Sequence, residues 1–131
     1  MYIDQFPPQD MARKIAAKYG VPLLPSIEQA LTLEGNGLAV DGVLSIGEHG
    51  DYPFNEKEQQ LYPRRRFFEQ ITDTFEKVGR VVSVFSDKHP GPLWADARWM
   101  VDRAREMHLP FMAGSCLPVG FRNPDLSLPM G

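Results

Sequence analysis

The sequence predicts an α/β domain built on a parallel sheet with helices on both faces. Apolar runs of strand length alternate with segments whose apolar residues recur at helical spacing. The order is strand, helix, strand, short helix, strand, helix, strand, helix, strand. In addition, the two clearest apolar runs each break into a polar turn. Val40 to Ile46 gives way to Gly47-Glu48-His49-Gly50-Asp51, and Val81 to Phe85 to Ser86-Asp87-Lys88-His89-Pro90-Gly91. Open parallel sheets place their chemistry at the carboxyl ends of strands, so these turns hold the first functional candidates.

Each element has its own local reason. Met1 to Asp4 reads as the tail of a strand ending on an acid. Pro7-Pro8 breaks the backbone, and Gln9 to Tyr19 carries Met11, Ala12, Ile15, Ala16 and Tyr19 at helical spacing, with Gly20 as the C-terminal stop. Val21 to Leu24 is a short apolar strand. Ser26-Ile27-Glu28-Gln29 has the form of a capping box, opening a brief helix to about Leu31. Glu34 to Gly37 is a turn, and Val40 to Ile46 is apolar enough for a strand covered on both sides. Gly47 to Tyr62 has mixed charge and no period, and irregular connections of that length are usually functional or disordered. Pro63 sits where a first-turn proline belongs. Phe67, Ile71, Phe75 and Val78 then mark the buried face of a helix that Gly79 ends. Leu93 to His108 repeats the pattern with Trp94, Ala97, Val101 and Ala104, both tryptophans reading as packing residues, and Phe111 to Ala113 is the last strand. Residues 1–116 thus form the α/β domain and 117–131 a Pro-rich tail.

Composition excludes several classes of function. A chain of 131 residues with net charge −3 and a sequence pI near 5.6 lacks the basic footprint of a nucleic-acid binder, although Arg64, Arg65 and Arg66 form one local cluster. That cluster could meet an anion at the helix start, or simply be a solvated face. The single cysteine, Cys116, permits no intrachain disulfide and no structural zinc site. No apolar run approaches a membrane span, and no signal peptide opens the sequence, so a cytoplasmic setting is expected.

The course Met1-Tyr2-Ile3-Asp4, then Ala12-Arg13-Lys14-Ile15-Ala16 with Lys18-Tyr19-Gly20-Val21-Pro22, then Ile27 to Leu31, then Val40-Asp41-Gly42-Val43, resembles a nicotinamide-binding domain. The family is that of glucose-fructose oxidoreductase and inositol dehydrogenase. Ser86-Asp87-Lys88-His89-Pro90 is similar to its Glu-Lys-Pro turn, and the likeness runs on to Phe121-Arg122-Asn123-Pro124. Within the family, the segment from Gly47 to Pro53 resembles a bacterial branch of longer proteins. The resemblance implies an incomplete Rossmann-like, doubly wound sheet and NAD(P)-dependent hydride transfer at a carbon bearing a hydroxyl. Lys88 would be the acid/base or orienting group and Asp4 the ribose-binding acid, which would favour NAD over NADP. Gly47 and Asp87 would lie near the cofactor.

The departures are as informative. The family's first strand, Gly-rich turn and first helix are missing, no G-x-G-x-x-G occurs, and there is no second, substrate-binding sheet domain. Asp87 replaces the family's Glu, and His89 its Pro. The expectation is a fragment or truncated domain, inactive alone, that joins a missing N-terminal segment or pairs with a second copy through an open sheet edge. A frayed surface acid at Asp4 and a solvated Lys88 are the plainer readings of those residues. A further alternative is a metal-assisted hydrolase or lyase in which His49, Asp51 and His89, with Glu48, converge on a divalent ion or an acid/base pair. The third is a noncatalytic interaction module.

Overall fold

The structure, a computed structural model, describes residues 1–115; Cys116 and the Pro-rich tail lie outside the described residues. It is an α/β fold with a three-stranded parallel sheet in the order β1-β2-β3, formed by Gly42–Ser45, Ser83–Asp87 and Phe111–Gly114. Helices α1 (Ala12–Tyr19), α2 (Ile27–Thr32), α3 (Arg64–Val78) and α4 (Trp94–Glu106) complete the order. α3 and α4 are the crossovers that let consecutive strands run parallel.

Helix ends follow the local chemistry. Gly20 and Gly79 adopt φ of 66° and 69°, and their N–H groups return to carbonyls of the preceding turn. Ser26 caps α2 by accepting from the Gln29 N–H at 3.1 Å. The first helix starts later than Gln9 because the Asp10 carboxylate accepts from the N–H groups of Ala12 and Arg13, which fixes its first turn there.

The core lies between α3, α4 and one face of the sheet. Phe68, Phe75, Met100 and Val84 are fully buried, and Phe68 meets the rings of Trp99 and Phe111 at centroid distances of 6.3 and 4.7 Å. Ile27 and Leu31 attach α2 to this core.

Several sequence expectations need correction. Met1 to Asp4 and Val21 to Leu24 do not form strands; they meet in one isolated parallel bridge, Tyr2 to Leu24, too short for a ladder. The two faces of β1 differ: Leu44 is 76 % exposed whereas Ser45 is buried. Leu44 pairs with Phe85 and Phe85 with Met112, and Met112 is 66 % exposed. Among the described residues, the two outer members of this row are therefore left exposed. β2 starts two residues later than its apolar run, because its register is set by β1 and β3. Trp94 is 80 % exposed rather than packed; the first turn of α4 turns it outward, and Met100 fills the core instead.

Among the described residues β1 pairs with β2 alone, and an apolar groove of about 440 Å³, lined by Tyr2, Ile27, Leu31, Val43, Phe67 and Ile71, separates it from the Tyr2–Leu24 pair. The connection 47–62 is ordered by short-range bonds. Phe54 bridges Gln60, and the Asn55 side chain accepts from the N–H groups of Lys57 and Gln59. No helix among the described residues is long and apolar enough to cross a membrane.

Candidate functional site

The site is built where β1 and β2 end and α3 begins. A Cβ placed on Gly47 would fall 3.1 Å from Arg64 Cγ and 3.6 Å from the Arg64 main-chain N, so glycine lets the start of α3 abut the end of β1. β2 ends on Asp87; Lys88 follows and is joined to His89 by a cis peptide bond. Lys88 Nζ donates to Glu48 Oε1 at 2.8 Å and lies 3.9 Å from Asp87 Oδ2. The ends of two adjacent parallel strands thus supply a cation held between two carboxylates, all three side chains at least half-buried.

Asp87 is 6 % exposed, and its carboxyl is held below the ordinary carboxylate range, chiefly because the Lys88 main-chain N–H donates to it. Its Oδ1 nevertheless has no hydrogen-bond partner, nor has the buried Ser86 Oγ or the Nε of Arg64. Arg64 is 5 % exposed, with its guanidinium 4.9 Å from the Tyr62 ring. Burial lowers its pKa, while Glu48, Tyr62 and Asp87 pull it upward.

A second polar cluster lies on the other side of Gly47. Asp4 accepts from Arg66 at 2.6 Å, from the Tyr52 hydroxyl at 2.8 Å and from the Tyr2 hydroxyl. The bond from Arg66 is the main reason its carboxyl falls to about 2. Tyr52 is pushed up to about 12, chiefly by burial and then by its bond to Asp4. A cavity of about 140 Å³ opens beside this cluster, with Gly47 and His49 in its wall.

The structure therefore brings together Lys88, Glu48 and Asp87, and leaves His49, Asp51 and His89 out. Glu48 turns to Lys88, Asp51 is tied through its main chain to the Gln5 side chain, and His49 and His89 are exposed. Among the described residues no three His, Cys, Asp or Glu side chains stand together so as to hold a metal ion. Asp4 is no frayed acid, since it is tied to a helix residue 62 positions away. Sequence reasoning undervalued Arg64, the signal being three arginines at a helix start, where the helix dipole disfavours cations. It missed Ser86 and Tyr52 as site neighbours.

The described residues do not fit a nicotinamide dinucleotide as they stand. Three donors already occupy the carboxylate expected to bind the ribose, and the sequence has no Gly-rich turn to approach a pyrophosphate. The geometry defines an α/β protein with a lysine-carboxylate site at the carboxyl edge of a parallel sheet. Comparisons with protein-family models, with curated proteins and with solved structures find no match.

Proposed function

We propose that this chain is an incomplete oxidoreductase-type α/β domain whose Lys88 site binds a small molecule bearing hydroxyl groups, and that the chain alone does not turn over a substrate. The observation that carries this reading is the Lys88–Glu48 pair, 2.8 Å apart, at the carboxyl ends of adjacent parallel strands. Such a lysine can orient a hydroxyl or exchange a proton with it when the hydroxyl oxygen comes within hydrogen-bond reach. Glu48 and Asp87 fix its position, and the buried Ser86 Oγ and Asp87 Oδ1 beside it are left without hydrogen-bond partners. Hydride transfer would need a dinucleotide site completed from outside the described residues.

Two titrations test this. Calorimetry with NAD and NADP should show no saturable binding at millimolar concentrations; saturable binding would refute the claim that the chain lacks a dinucleotide site. Glucitol, a neutral polyol, should shift the amide resonances of Ser86 to His89 in nuclear magnetic resonance spectra, and Lys88→Met should abolish the shifts. Their absence in the native chain would end the hydroxyl-binding reading.

A second reading has its own observation, the edge of β1 beside the apolar groove, which no strand among the described residues pairs. An unpaired edge of this kind is a template for another strand, so the same chain would serve as an interaction module or homodimer. Sedimentation across a hundredfold range of concentration tests it: a constant monomer mass excludes the homodimer.

A further inference from the structure

α3 begins against chemical convention. Its first turn holds Arg64, Arg65 and Arg66 and no acid, and no side chain caps it. The unsatisfied N–H groups and the positive dipole end of a helix favour an anion there and disfavour cations. Two of the three arginines have carboxylate partners: Arg65 meets Asp96 at 3.0 Å and Arg66 meets Asp4 at 2.6 Å. Arg64 has no ion-pair partner within 4.0 Å among the described residues, although it is 5 % exposed and its Nε is buried without an acceptor. Side chains of a helix tilt toward its N-terminal end, so a residue at the first position projects past that end. Arg64 lies against the turn that follows β1, where a Cβ on Gly47 would fall 3.1 Å from its Cγ, and Glu48 and Asp87 raise its pKa there. Those two carboxylates are engaged by Lys88, at 2.8 and 3.9 Å.

We infer that Arg64 and the first turn of α3 form an oxyanion site, so that the ligand of the Lys88 site carries a carboxylate or phosphate beside its hydroxyl groups. This rests on the hydroxyl-binding reading and sharpens it from a neutral polyol to a hydroxy acid or a phosphorylated polyol. Stacked over the Tyr62 ring and belonging to a residue only 5 % exposed, the guanidinium meets the oxyanion in a poorly hydrated setting, where a charge-assisted bond is strong.

The test uses the full chain and three probes: gluconate, inorganic phosphate and glucitol. In the native protein, the Arg64 Nε–H resonance should move and saturate with gluconate or phosphate and stay fixed with glucitol; this arm needs no variant. Phosphate moving it while gluconate does not would assign a phosphorylated ligand, and the reverse a hydroxy acid. Gluconate should bind at least about tenfold more tightly than glucitol, and Arg64→Gln should bring its affinity down to that of glucitol. If glucitol shifts the Ser86 to His89 amides while neither anion moves Arg64 Nε–H, the oxyanion site is wrong and the hydroxyl site stands. If no probe shifts any of these resonances, both readings fall.

Discussion

The two halves of the described residues are held by different forces. From α3 onward, the described residues are packed around buried rings: Phe68, Phe75 and Met100 are at most 1 % exposed. Before β1, α1 buries only Ala16, while Met11, Ile15 and Tyr19 stand 70, 49 and 68 % exposed. What fixes the N-terminal segment is the contact of α2 with α3 and the polar latch of Asp4 with Arg66, Tyr2 and Tyr52. Packing resists pH and salt, whereas a latch of this kind titrates. The contrast therefore predicts where the chain yields first.

The largest expected effect is Phe68→Ala, which removes a fully buried ring touching both α4 and β3 and should cost about 3–5 kcal/mol in urea unfolding. A cost below about 1 kcal/mol would show that the apolar layer is not where stability resides.

An intermediate effect belongs to the latch. Asp4 has a folded pKa near 2, below its ordinary 3.8, so its contribution is fully present above about pH 4 and is lost as the pH falls toward 2. Asp4→Asn should cost on the order of 1–2 kcal/mol at neutral pH, reduced from the full linkage value because Arg66 is 45 % exposed. It should also flatten the fall in the urea midpoint between pH 4 and 2. An unchanged acid limb would show that the latch contributes nothing.

The smallest effect is Ile15→Ser on the exposed side of α1, within about 0.5 kcal/mol of the native chain. Amide exchange in α1 should be correspondingly faster than in α3. Equal protection of the two helices would erase the distinction.

Local signals carried much of the fold. Gly20, Ser26, Pro63 and Gly79 locate helix ends to within about a residue, because capping is decided by neighbours in sequence. The strands of Tyr2 and Leu24 were overestimated, since a strand exists only where a partner extends the ladder, and apolar character alone supplies none. The same reason moved β2 toward Asp87, placing Lys88 directly after the strand. In the site, the proximity of Lys88 to the Gly47 turn was legible from the parallel-sheet layout, whereas its partner was not: Glu48 rather than His49 faces it. The engagement of Asp4 by Arg66 joins residues far apart in sequence, beyond the reach of spacing arguments. Trp94 misled because a large aromatic at helical spacing reads as core whether or not a neighbour covers it.

The row of exposed Leu44, half-buried Phe85 and exposed Met112 among the described residues has a practical consequence for anyone handling this protein. Fluorescent dyes that brighten on apolar surface are the usual indicators of a loosened, molten state. Here the described residues already offer such a surface when folded, so the protein should fluoresce with the dye at low temperature. A dye-monitored melt would start bright and understate the transition, while circular dichroism in the near ultraviolet, which reports on the packing of Trp99 and the buried aromatics, would follow unfolding faithfully.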